Sequence, residues 1–115
     1  MIALAELNPH HLPVTPEISA NLDVLCFKLN RVREAYATPM FINSGLRDDF
    51  LQMQVNPNAP ASKHLTGEAA DIRDMDGAVM RFVLSNLGLM RVLGLFFEHF
   101  NWTPTWVHFQ SVPPR

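Results

Sequence analysis

Cysteine is nearly absent: Cys26 stands alone among 115 residues, so no disulfide can close within the chain and no thiolate-based zinc cluster can be built from it. Any metal site must draw on imidazoles and carboxylates. Charge is scarce as well, at 17% Asp, Glu, Lys and Arg with a formal net charge of −2, and no dense Lys/Arg tract occurs. Nucleic acid and anionic membrane surfaces therefore find no electrostatic footing, and neither is expected as a partner. An apolar stretch in the C-terminal half, Val92 to Phe97, falls far short of a membrane span. The start, Met1 to Leu7, lacks a basic segment and Glu6 interrupts its apolar run, which predicts cytoplasmic synthesis without a secretory signal. Repeats, low-complexity tracts and linkers are missing too, so a chain with 48% hydrophobic residues predicts one globular domain over 1–115. A domain this small has a modest core, and a metal tying distant segments together would add stability.

What is present reads as α+β. Ile18, Leu22, Leu25, Leu29 and Val32 recur at three or four residues, predicting an amphipathic helix over 16–37 with Thr15 as N-cap, Pro16 in its first turn and Thr38-Pro39 closing it. Met40 to Ser44 reads as a short buried strand ending at Gly45, with Arg47 just beyond. Residues 55–62, rich in Pro and Asn, predict a loop, and Ala69 to Ile72 a second strand. Asp74 or Asp76 can cap a helix through Met80, Val83, Leu84 and Leu87 that stops at Gly88. Leu93–Phe100 and Thr105–Gln110 predict a terminal hairpin, and Pro113-Pro114-Arg115 a frayed end.

Chemistry concentrates in two segments. In Ser62-Lys63-His64-Leu65-Thr66-Gly67-Glu68-Ala69-Ala70-Asp71, an imidazole and a carboxylate stand seven positions apart around a glycine. A helix would stack them two turns apart, while a turn at Gly67 followed by a strand would fold His64 back beside Asp71; the turn and strand is the preferred path. In Trp106-Val107-His108-Phe109-Gln110, period-two alternation puts Trp106, His108 and Gln110 on one face. Asp71 amid Ala69, Ala70 and Ile72 requires a partner, since an unpaired buried charge is costly. A divalent cation would serve, and so would Arg47 or Arg73.

These segments carry a resemblance. Ser44-Gly45-Leu46-Arg47 is similar to the Ser-Gly-(aromatic or Leu)-Arg element of the zinc peptidases that include D-alanyl-D-alanine carboxypeptidases and phage L-alanyl-D-glutamate endolysins, with distant relatives in the hedgehog signalling domain. Ser62-x-His64-x-x-Gly67-x-Ala69-x-Asp71 resembles the family's Ser-x-His-x-x-Gly-x-Ala-x-Asp motif at every fixed position, and Trp106-Val107-His108 its last ligand motif. Asn21-Leu22 and Arg33-Glu34-Ala35-Tyr36 resemble the compact branch common in bacteriophages. The resemblance implies a small antiparallel sheet with helices packed on one face and a zinc site at the sheet. It implies His64, Asp71 and His108 as ligands of Zn²⁺ with room left for water, Arg47 as a clamp on the substrate carboxylate, and Ser62 as a further substrate contact or a turn former. The implied substrate is a peptidoglycan stem peptide, cleaved by a monomer that reaches the cell wall after release or rides in a virion.

One position departs from the family. Many members carry a catalytic carboxylate three residues before the last histidine, where this chain has Thr105, which cannot do acid-base work. Glu98 is the candidate in its place: with a loop over 101–105, Phe100 would pair with Trp106 and Glu98 would face His108. Its other reading is a residue that orients a ligand, or an exposed strand position. His99 would face the opposite way, and Glu68 is expected to be structural. Two alternatives stay open, a non-haem iron oxygenase built on two His and a carboxylate, and a non-catalytic zinc module.

Overall fold

The computed structural model describes residues 2–58, 62–98 and 105–114. Helix α1 (Pro16–Tyr36) starts as expected, with the Thr15 hydroxyl accepting the Ile18 N–H at 3.1 Å, and buries Leu22, Leu25, Leu29 and Val32 along one stripe. Ala37, at a left-handed φ of 59°, ends it just before Thr38. Strand β1 (Ile42–Ser44) is shorter than the Met40–Ser44 run predicted. Helix α2 (Asp49–Val55) was not expected from the sequence; the Asp48 carboxylate caps it by accepting the Leu51 N–H at 2.9 Å. A 3-10 turn over Lys63–Thr66 leads into β2 (Ala69–Arg73).

The next segment departs from expectation. Both proposed caps work, since the Asp74 carboxylate accepts the Val79 and Met80 N–H groups and Asp76 accepts that of Ala78. The helix they start, α3 (Ala78–Leu84), stops before Ser85, and a second helix, α4 (Leu87–Leu93), follows at once. Gly88 sits inside α4 with open space around it, and Gly94, at a φ of 64°, is the residue that ends helicity. Strand β3 is thereby confined to Phe96–Phe97, and Leu93 is helical rather than extended. The expectations for His99, the Phe100–Trp106 pair, the loop at 101–104 and Arg115 lie outside the described residues.

Strand β4 (Trp106–Gln110) completes an antiparallel sheet of order β1-β2-β4-β3. Alternation sorts its side chains. Ala70 and Ile72 of β2 and Val107 and Phe109 of β4 join the core made by α1, α3 and α4, each with 0% exposure. Burying a large apolar side chain of this kind contributes about 1.5–3 kcal/mol. Asp71, His108 and Gln110 therefore occupy the opposite face, with Asp71 directly across from His108. On the other edge Phe97 pairs with Phe109, and the Glu98 N–H donates to the His108 carbonyl at 3.2 Å, so Glu98 lies across from His108 in the expected register. Among the described residues no helix is long and apolar enough to cross a membrane.

Candidate metal centre

Three separate stretches deliver the site. The Lys63–Thr66 turn carries His64: the Ser62 hydroxyl accepts the His64 N–H at 3.2 Å, and Gly67, at a φ of 76°, turns the chain into β2. A Cβ on Gly67 would also press on the Leu22 side chain at 3.0 Å and the Ile18 carbonyl at 3.2 Å, so this turn can sit against α1 only as glycine. Asn21 of α1 donates to the Thr66 carbonyl at 3.0 Å and holds the turn from above. The turn-then-strand path is thus the one adopted. Asp71 comes from β2 and His108 from β4, and one donor atom from each of the three residues lies within 4.8 Å of the others.

The hydrogen bonds around the rings decide what these atoms offer. His64 Nδ1 lies 2.8 Å from the Gly45 carbonyl, which can only accept, so Nδ1 carries the proton and a neutral ring turns its Nε2 lone pair to Asp71 Oδ1 at 3.4 Å. Gly45 reaches this position because it has no side chain; a Cβ there would collide with the Leu7 carbonyl. His108 Nε2 lies 3.0 Å from Gln110 Oε1, and the Gln110 amide is oriented by donating to the Val112 carbonyl at 2.9 Å. His108 Nε2 is then the protonated nitrogen, and Nδ1 faces Asp71 Oδ1 at 2.8 Å. With both rings neutral, three acceptors confront one another. Only a proton or a cation between them relieves this, and two imidazole nitrogens with one carboxylate oxygen make a donor set that suits Zn²⁺.

Electrostatics agree. Where a proton rather than a cation fills the gap, burial would raise the Asp71 pKa, but hydrogen bonds from the protonated His108 and His64 rings and their charges outweigh it and hold the carboxyl well below the usual carboxylate range. Burial would lower the His108 pKa, yet its hydrogen bond to Asp71 and the carboxylate's charge raise it above the ordinary imidazole value.

Arg47 is buried within the site rather than spread on the surface. It is 8% exposed, and it donates from Nη2 to Asp71 Oδ2 at 3.2 Å, from Nη1 to Gln52 Oε1 at 3.0 Å and from Nε to the Ser44 hydroxyl at 3.0 Å. Of the three partners its sequence allowed, Asp71 thus has Arg47 directly and faces the position a cation could take. An irregularity in the β1–β2 pairing brings Ser44 opposite Asp71 and so within reach of Arg47. A pocket of about 240 Å³ takes in Arg47, Leu46, Asp48 and Leu65 and none of His64, Asp71 and His108. Ser62 serves the His64 turn. Glu98 is half-exposed, with Oε1 3.7 Å from His108 Nε2, the nitrogen turned away from Asp71. Thr105 is exposed, and its carbonyl accepts the Asp74 N–H.

Ser44, Gln52 and Gln110 carry roles that motif reading did not assign. Gln110 was visible in principle, two positions past His108 on the same face, whereas Gln52 lay in a helix the sequence did not announce. Compared with known proteins, the chain matches the family model described as Peptidase M15 over residues 4–108. It is similar to the crystal structure of the Serratia marcescens L-Ala D-Glu endopeptidase ChiX at 21% identity and a TM-score of 0.48, covering 90% of this chain and 92% of that one. No curated protein matches it.

Proposed function

Since the chain belongs to the peptidase M15 family and is a zinc metallopeptidase, we propose that it hydrolyses amide bonds of peptidoglycan stem peptides, with 1–115 acting as one catalytic domain. The observation that carries this reading is the convergence of His64, Asp71 and His108, each ring having its outer nitrogen bonded to an acceptor and its inner one turned to Asp71. Membership in a peptidase family leaves no support for the oxygenase alternative.

Bound zinc supplies a Lewis acid that polarises the scissile carbonyl and brings water towards ionisation at neutral pH. Glu98 takes the proton of the attacking water and returns it to the departing amine; its support is its position across from His108 and its solvent access, which a proton carrier needs. Three of the five guanidinium N–H groups of Arg47 are engaged by Asp71, Gln52 and Ser44, and we assign the others to the carboxylate of the substrate peptide. Ser62 borders the site as the cap of the His64 turn and can meet substrate only from there. The similarity to the compact phage branch supports a role in phage-driven lysis of the cell wall.

Thr105 favours a second reading, a zinc-bearing module that binds stem peptide without cutting it. Mass analysis of defined muropeptides after incubation with the zinc-loaded protein tests the two. Zinc-dependent cleavage at one amide supports the peptidase, and assignment of the product tells an L-Ala-D-Glu cut from removal of a terminal D-Ala. Intact muropeptides in the presence of fully loaded protein overturn it.

A further inference from the structure

We propose that Gln110 is a positioning residue of the zinc site, fixing His108 in the tautomer whose Nδ1 lone pair faces the other two ligands. The inference rests on the zinc-peptidase reading and concerns a residue outside its ligand set. Gln110 is 8% exposed and pairs with Ala69 on one side and Phe96 on the other, so its backbone is fixed within the sheet. Period-two alternation then places its side chain beside that of His108.

A side-chain amide can present either end to an imidazole, and here the choice is made from outside. The Gln110 amide nitrogen donates to the Val112 carbonyl at 2.9 Å, which leaves Oε1 to accept from His108 Nε2 at 3.0 Å. Val112 is held in turn, because its neighbour Ser111 donates its N–H to the Glu68 carbonyl at 2.9 Å and accepts from Lys28 of α1 at 3.1 Å. A chain of hydrogen bonds therefore runs from α1 and the strand end, through Gln110, to the ring. The competing acceptor, Glu98, is farther from Nε2 at 3.7 Å and is half-exposed. Gln110 thus does the orienting and leaves the Glu98 carboxylate free for proton transfer.

Two variants and two readouts test this. Gln110→Leu removes the acceptor at similar size, and Gln110→Glu keeps an acceptor. Zinc affinity, measured by competition with a chromophoric chelator, should fall about 10- to 100-fold in Gln110→Leu and clearly less in Gln110→Glu, which keeps the acceptor for His108 and loses only the donor to Val112. In the NMR spectrum of the zinc-loaded protein, the His108 Nε2–H should exchange slowly in the wild type and in Gln110→Glu but quickly in Gln110→Leu. Wild-type affinity and slow exchange in Gln110→Leu overturn the proposal, and so does an equal loss in both variants, which would mark Gln110 as packing. A wild type that takes up no zinc defeats the peptidase reading instead. The metal-free protein below about pH 6, its His108 ring carrying both protons, then decides Gln110 alone: an Nε2–H that exchanges slowly in the wild type and quickly in Gln110→Leu supports it, and equal exchange in the two overturns it.

Discussion

The β2–β4 ladder has two faces that are almost equally hidden from water and chemically opposite. Ala70, Ile72, Val107 and Phe109 on one face are 0% exposed, while Asp71, His108 and Gln110, each one position along, are 8–9% exposed. The apolar face is stabilised by transfer out of water and by packing, which any shape-matched hydrophobe supplies. The polar face holds only because each buried group has a specific partner, so it tolerates no substitution that leaves one unmatched. Damage should therefore differ in what accompanies it: substitutions on the apolar face cost stability and leave zinc binding intact, whereas those on the polar face lose the metal, and cost stability too where a buried partner is left unpaired.

The largest effect is expected from Asp71→Ala, which removes the anion shared by His64, His108 and Arg47. Zinc content and hydrolysis should both vanish, and breaking the buried Arg47 pair should cost the metal-free protein about 3–5 kcal/mol in chemical denaturation. Phe109→Ala, one position from His108, should cost about 3–5 kcal/mol with zinc stoichiometry per folded molecule unchanged. If Phe109→Ala instead lost its metal at full stability, the division between the faces would be wrong. Glu98→Gln sharpens the contrast, since Glu98 lies beside the site without joining the ligands: turnover should drop about 10²- to 10⁴-fold while melting temperature and zinc content hold.

Protons and zinc compete for the polar face alone, which gives it a pH dependence the core lacks. Asp71, with its pKa depressed, contributes stability that is present above about pH 4 and lost as pH falls towards its folded value. His108, with its pKa raised, contributes stability present below about pH 6.5 and lost as pH rises through the folded value. The metal-free protein should be most stable between those limits, and the gain in melting temperature on adding zinc should grow from pH 6 to pH 8, as the ligands shed protons. A zinc-induced gain that is flat over this range would count against His108 as a ligand. The smallest effect is expected far from both faces: Thr15→Ala, which removes the cap on Ile18, should cost about 1 kcal/mol with activity unchanged.

Period and local punctuation made much of this legible. The 3.6-residue stripe of α1, the period-two pattern of β4 and the Gly67 turn each rest on neighbours in the chain, and all three are found where the residues indicate. Misreadings came where one residue type serves two purposes. Gly88 looked like a helix stop, but glycine ends a helix only where the backbone turns left-handed, and that happens at Gly94. Helix α2 is seven residues long with its outer face apolar, as Phe50 and Met53 are both exposed, so no amphipathic stripe announced it. The convergence of His64, Asp71 and His108 was readable because its motifs are local, but the partners that orient these side chains were not. Arg47 reaches Asp71, and Gln52 reaches Arg47, only through the irregular β1 edge and the unannounced helix.

Metal coordination is the most direct measure of the whole account. X-ray absorption at the zinc edge, on protein loaded with one equivalent, should show two imidazole nitrogens and a carboxylate oxygen in the wild type and no tightly held zinc in His108→Ala. A wild type that binds no zinc, or a His108→Ala variant that binds it as tightly with the same edge spectrum, would contradict it.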